Sequence, residues 1–194
     1  YACWATGLDN ATLIIELHRL ASSPNLSAIP LFTFAGVVLA AGGAPRRLIR
    51  LFSALFGWLP GGLAMVALTA CAFFTAFSGA SGVTILALGG LLYPMLTRVG
   101  YPQPFSLGLL TSSGSLGLLF PPSLPILLYA IVAGINVDQL FMAGMLPGVL
   151  LLLILLLYSL RKGFHLVEPQ PAFSWRRLAE ALRVGIWDLL LPLM

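Results

Sequence analysis

The run from Val99 to Val137 holds no Asp, Glu, Lys, Arg or His, yet its middle, residues 111–125 (TSSGSLGLLFPPSLP), is poorly built for a helix. A charge-free apolar stretch of that length reads as membrane-embedded. Gly114 and Gly117 each cost about 1 kcal/mol against Ala in a helix interior. Pro121, Pro122 and Pro125 each remove a backbone donor, at about 3 kcal/mol for an interior proline. Hydrocarbon offers no water to a freed carbonyl, so non-helical backbone persists at that depth only where protein buries it or where it lines a polar cavity. The expected form is a broken transmembrane helix over residues 104–134. It enters near Phe105, unwinds over about 114–122 and resumes from Ser123 to about Gly134. Unwound Ser/Gly backbone at mid-membrane points to an ion or substrate site in a transporter. A helix merely kinked by proline needs one proline and no serine cluster.

The rest of the chain agrees with a bilayer. Residues are 59% hydrophobic and only 8% charged, against roughly 25% charged in a soluble domain. The expected class is an all-α integral membrane protein with room for about five to seven membrane elements of ~20 residues. The net charge of +4 does not indicate nucleic acid here, because arginine clusters mark cytoplasmic loops of membrane proteins. Cys3 and Cys71 form no Cys-x-x-Cys pattern, so neither a disulfide frame nor a metal site is supported. No signal peptide is visible. The chain runs from Tyr1 to Met194, which lies inside an apolar run, and a piece of a longer protein is expected.

Residues 1–58 read as scaffold and interfacial helices. Residues 11–20 suit a short interfacial helix, in which His18 has no acidic or cysteine partner at ligand spacing. Residues 29–44 make an apolar span that Gly42, Gly43 and Pro45 end. Arg46, Arg47 and Arg50, followed by Leu51, Phe52, Leu55, Phe56 and Trp58, predict an amphipathic helix at the interface. Residues 61–135 read as a transport-type region. Within it, residues 63–77 and 83–96 form two apolar arms around the turn Ser78-Gly79-Ala80-Ser81-Gly82. Each arm rises only ~20 Å at 1.5 Å per residue, against a core of ~30 Å. A re-entrant hairpin over 63–96 is therefore expected, in preference to a bent span with an outer extension. Residues 138–162 contain the full span, 140–160. Residues 163–194 hold a loop, a second interfacial helix at 175–182 and the start of another apolar element near Ile186.

Orientation supports the hairpin. With Arg46, Arg47 and Arg50 in the cytoplasm, a re-entrant hairpin returns Arg98 to the same side. The broken helix then puts Asp138 outside, and the last span brings Arg161 and Lys162 back inside. Every basic loop falls on one side, as the positive-inside rule asks. A hairpin that crossed fully would place Arg98 opposite Arg46.

The available chemistry is narrow. Residues 51–97 and 99–137 contain no His, Asp, Glu or Lys and one thiol. A serine without a base is inert, so no catalytic set is present. A proton carrier needs a titratable group in the membrane, which these runs lack. A sodium ion needs only neutral oxygens, and unwound carbonyls, hydroxyls and the negative ends of half-helix dipoles provide them. Ser78 and Ser81 in the tip, with Ser112, Ser113, Ser115 and the backbone around Gly114 and Gly117, supply such groups if the two stretches face each other.

At these residues the sequence resembles a known family. FSGASGVTILALGGLLYPML (77–96), RVGYPQPFSLGLLTSSGSLGLLFPPSLPILLYAIVAGI (98–135), DQLFMAGMLPGVLL (138–151) and IPLFTFAGVVLAAGG (29–43), with the Arg46-Arg47 pair, are similar to the large membrane subunit of TRAP transporters, the DctM-like permease family. The Ser-Gly-x-Ser tip and the Gly-x-x-x-Pro-Pro-Ser-x-Pro run from Gly117 to Pro125 are its most specific parts. The resemblance implies a secondary transporter of small organic anions such as C4-dicarboxylates, multi-pass in a bacterial or archaeal inner membrane. It implies sodium as coupling ion, no other cofactor, a DctQ-like small membrane subunit and a DctP-like periplasmic solute-binding protein as partners. It also implies a fold of two inverted repeats moving as an elevator, of which this chain is one half. Carried over, the sodium site of that half involves Ser78, Gly79, Ser81, Gly114, Ser115 and backbone near Gly117 and Pro121.

The match has departures. Family members are about twice as long, so the second hairpin and much of the substrate contact are expected outside this chain, which alone should not transport. The tip carries Ala80 where another small residue or Ser is common. A channel-like or structural membrane protein is the competing reading, distinguished by passive currents that need no binding protein.

Overall fold

The structure, a computed structural model, describes residues 28–163 together with 11, 14, 15, 18, 22, 174–176, 178–181 and 183. Between residues 28 and 163 it is helical with short connections. We number the helices α1 (Ala28–Ala41), α2 (Ala44–Phe56), α3 (Gly62–Ser78), α4 (Ser81–Val99), α5 (Gln103–Leu116), α6 (Leu124–Ala133) and α7 (Val137–Gly163). The chain is an all-helical integral membrane protein. Residues 164–173 and 184–194 lie outside the described residues, and with them the loop after α7 and the element expected near Ile186. Of the helix expected at 175–182, the described residues are helical.

α3 is the centre. Its small and branched residues Ala64, Val66, Ala67, Leu68, Ala70, Cys71 and Phe74 are buried, packed with Leu88, Leu92 and Leu96 of α4 and Leu109 and Leu110 of α5. Alanines at that density let neighbouring backbones come close, which is how apolar helices associate where lipid is as apolar as the side chains. α2 is amphipathic as expected, with Arg46 and Arg50 exposed and Ala44, Leu48, Ile49 and Leu51 buried. Its apolar face is covered by protein: Phe52 meets Phe73 of α3 edge-on at 5.7 Å between centroids. The pattern of one apolar face is the same whether lipid or a neighbouring helix covers it, and here α3 does.

α3 and α4 form a hairpin, joined by Gly79 and Ala80, and α4 by itself is long and apolar enough to cross a membrane. The arms are longer than the apolar runs suggested, 17 and 19 residues, because Gly62 and the Ser/Gly residues of the turn are wound into them. α4 carries one π-helical turn, Ile85–Gly89, and ends in a glycine cap: Gly100 has φ 103°, its N–H reaches Thr97 O, and Tyr101 N–H reaches Leu96 O. That paired pattern satisfies the last carbonyls and turns the chain sharply.

The chain ends of these helices sort to two ends of the molecule. Tyr101 stacks on Phe105 at 5.4 Å, Phe105 meets Tyr158 at 6.0 Å, and Lys162 Nζ lies 6.0 Å from the Tyr158 ring. Gly61, just before α3, packs backbone to backbone on Gly163 at the end of α7, with Ser159 O also in contact. The hairpin thus starts and finishes at the end that carries Arg98, Arg161 and Lys162. α7, at ~1.5 Å per residue, runs ~40 Å from there to Asp138.

Candidate functional site

The broken helix has the expected form with a later break. α5 stays helical through Gly114 and Ser115, tightens into a 3-10 turn at Gly117–Leu119 and breaks at residues 120–123, where the Pro121–Pro122 peptide is cis. α6 resumes at Leu124, and its axis is bent by 42° from that of α5. The chain leaves α-helical geometry at Gly117 rather than at Gly114, which serves contact rather than unwinding. A Cβ there would lie 3.0 Å from Ile85 Cγ1 and 3.7 Å from the Ser81 carbonyl oxygen of the hairpin.

The hairpin tip and the break meet. Gly117 sits directly on the Ala72 carbonyl and Thr75 Cβ of α3, where no side chain fits. Gly79, in the left-handed region at φ 61°, lies against Leu124; a Cβ on it would come within 2.7 Å of Leu124 Cγ. A residue with φ near +60° is glycine by default, since a Cβ costs about 1–2 kcal/mol in that conformation. A third contact comes from α1, whose Gly36 leaves room for Ser78; a Cβ would stand 2.8 Å from Ser78 Cβ. On the far side of the break, Gly144 and Gly148 of α7 receive it. Their Cβ positions would lie 3.3 Å from Leu119 O and 3.2 Å from Leu119 Cβ. This four-residue glycine spacing is a familiar close-packing signal, and it gives Gly148 a packing role inside the continuous helix.

The tip's hydroxyls are organised. Thr75 Oγ1 donates to Thr84 Oγ1 at 2.7 Å, Thr84 Oγ1 donates to Ala80 O at 3.4 Å, and Ser78 Oγ reaches the same carbonyl at 3.3 Å. Ser78, Thr75 and Thr84 are all buried. Ser123 Oγ, at the start of α6 beside the Gly79–Leu124 contact, is fully buried and has no hydrogen-bond partner among the described residues.

The structure therefore brings together Ser78, Gly79, Ser81, Gly114 and Gly117. It does not direct the Ser115 side chain to the tip: Ser115 is exposed and its Oγ donates to Thr111 O at 3.1 Å. Ser112 is also exposed, Ser113 is buried with its hydroxyl on Leu110 O, and Pro121 is exposed. Sequence reasoning passed over Thr75, Thr84 and Gly36. The two threonines had a signal, standing four residues before Gly79 and four after Ala80.

Four helix ends converge here. The C-termini of α3 and α5 bring carbonyls with no intrahelical donor, and the N-termini of α4 and α6 bring the converse. The negative ends of α3 and α5 favour a cation and the positive ends of α4 and α6 an anion, so the dipoles alone do not set the sign of a bound charge. No ionised side chain belongs to the tip or the break, so a cation held there would be held by neutral oxygens.

The sequence matches, over residues 4–194, the family described as the DctM component of the tripartite ATP-independent periplasmic transporter. The chain belongs to that family. It is 38% identical over 182 residues to a C4-dicarboxylate TRAP transporter large permease protein of Pseudomonas aeruginosa, covering 93% of this chain and 42% of the relative. It is 33% identical to the ectoine TRAP transporter large permease protein of Halomonas elongata, over 94% of this chain and 43% of that one. It is 32% identical to the 2,3-diketo-L-gulonate large permease protein of Escherichia coli, over 98% and 45%. The chain thus spans less than half the length of these DctM relatives.

Proposed function

We propose that this chain is the N-terminal repeat of the large membrane subunit of a sodium-coupled TRAP carrier for small organic anions, in a prokaryotic inner membrane. The carrier takes substrate from a periplasmic solute-binding protein and works with a small membrane subunit. The observation that carries this reading is the meeting of two uncharged interruptions, with Gly79 against Leu124 and Gly117 against Thr75. Both interruptions bear oxygens, and neither offers a group that a proton would need.

We read the α3–α4 hairpin as re-entrant. Its tip stops level with Leu124, while α6 continues for 10 residues, or ~15 Å, beyond it. Both arms also begin and end beside the basic cluster of Arg98, Arg161 and Lys162. Substrate is expected to bind mainly in the half of the protein that this chain does not include, since the membrane-depth runs hold no cation for a carboxylate. A C4-dicarboxylate is the first candidate, from the P. aeruginosa relative.

The test is uptake by liposomes holding the full-length protein, its small subunit and its binding protein, supplied with labelled C4-dicarboxylate. Uptake driven by an inward sodium gradient, absent when choline replaces sodium, supports the proposal. Uptake driven by a pH gradient without sodium, or passive currents without binding protein, contradicts it. The second outcome is the signature of a channel.

A further inference from the structure

Thr75 touches both the opposite arm of the hairpin and the break. It lies on α3 one turn before the tip and is fully buried. Three other threonines return their hydroxyl to their own helix: Thr69 to Met65 O, Thr97 to Tyr93 O and Thr111 to Leu107 O. Thr75 instead donates across the hairpin to Thr84 Oγ1 at 2.7 Å. Thr84 Oγ1 in turn donates a hydrogen bond to Ala80 O, which Ser78 Oγ also reaches. The hydroxyls of Thr75, Thr84 and Ser78 thus form one buried cluster around the Ala80 carbonyl of the tip, with Ser78 Oγ also 3.4 Å from Thr84 Oγ1. On its other side, Thr75 presents Cβ and Cγ2 to Gly117 of the break.

We infer that Thr75 and Thr84 are positioning residues for the ion site, neither of them a ligand. Their hydrogen bond fixes the register of the two hairpin arms. The two hydroxyls on Ala80 O fix the orientation of the tip peptide, and the Thr75 methyl face seats the break. A site made of backbone oxygens binds well only if those oxygens are held in place before the ion arrives. Both threonines are buried, so water does not replace a lost hydroxyl. This inference rests on the sodium reading above.

The experiment is thermal unfolding of the full-length protein in detergent, titrated with sodium chloride at constant ionic strength against choline chloride. A ligand that binds only the folded state raises Tm by mass action, which yields an apparent sodium affinity. Thr75→Val and Thr84→Val keep shape and remove one hydroxyl each. Each is expected to weaken sodium affinity about five- to tenfold, the equivalent of one buried hydrogen bond. Thr84→Ser is expected to stay close to wild type. Thr97→Val, which removes a hydroxyl away from the tip, is expected to leave sodium affinity unchanged. Equal Tm losses with and without sodium, at unchanged affinity, overturn the inference and leave the sodium reading intact. A wild-type protein with no sodium-dependent Tm overturns both. If either valine variant fails to fold, Thr75→Ala, which removes both the hydroxyl and the methyl against Gly117, decides: a loss of sodium affinity supports the inference, and unchanged affinity overturns it.

Discussion

Gly79 lies against Leu124, so the tip of one hairpin touches the first residue of the second half of a broken helix. A Cβ on Gly79 would come 2.7 Å from Leu124 Cγ and would have to sit at φ 61°. The strained conformation alone costs about 1–2 kcal/mol, and the collision adds to it. Gly79→Ala is expected to lower stability by about 2–3 kcal/mol in denaturant titration of the detergent-solubilised full-length protein. A loss below about 0.5 kcal/mol, the size of an ordinary surface change, would show that the tip is free of the break.

Two glycines of the same helix region make a sharper contrast. Gly117 is covered by the Ala72 carbonyl and Thr75, and backbone cannot swing aside; Gly108 has nothing within 4 Å of a Cβ. Gly117→Ala is expected to destabilise by about 2–3 kcal/mol through overpacking. Gly108→Ala is expected to be neutral or stabilising by up to about 1 kcal/mol, from helix propensity. Paired unfolding curves check this, and equal effects at both positions would contradict the packing.

The two ends of the molecule predict sidedness. In a cysteine-free full-length background, cysteines replacing Arg98 and Lys162 are expected to react with a membrane-impermeant maleimide from the cytoplasmic face only. One replacing Asp138 is expected to react from the periplasmic face only. Opposite faces for positions 98 and 162 would mean that the broken helix and α7 do not both cross. A cysteine replacing the exposed Arg50 that reacts from the face opposite to position 98 would mean that the hairpin crosses the membrane.

With no ionisable side chain in the tip or the break, sodium stabilisation has nothing there to titrate. The sodium-dependent rise in Tm is expected to be the same at about pH 6 and pH 8, the range in which a histidine or a raised carboxylate changes charge. A several-fold change across that range would bring a titratable ligand from elsewhere into the site.

Much of this arrangement is legible from residues, for physical reasons. Pro121, Pro122 and Pro125 cannot continue a helix, so the break between α5 and α6 had to fall near them. Gly79, flanked by two apolar arms, had to be a turn. The apolar stretch within α7 is long enough to span on its own. Other features are invisible in one dimension. Gly114 and Gly117 look alike in sequence, yet one is helical against Ile85 and the other opens the break. Ser115 sits among serines, and only the helix rotation shows that it faces away. The arginine-flanked α2 announces one apolar face without saying that α3 covers it. The contact of Gly61 with Gly163 joins residues a hundred apart, and no local pattern encodes it.

The central claim is that the hairpin tip and the helix break together hold a cation through neutral oxygens. High-resolution maps of the full-length protein in sodium chloride and in choline chloride test it most directly. The account predicts a density peak in sodium, bounded by Ser78, Gly79 and Ser81 on one side and by Gly117 and Ser123 on the other, that vanishes in choline. A gap without density in both maps, or one closed by direct hydrogen bonds between tip and break, would contradict it.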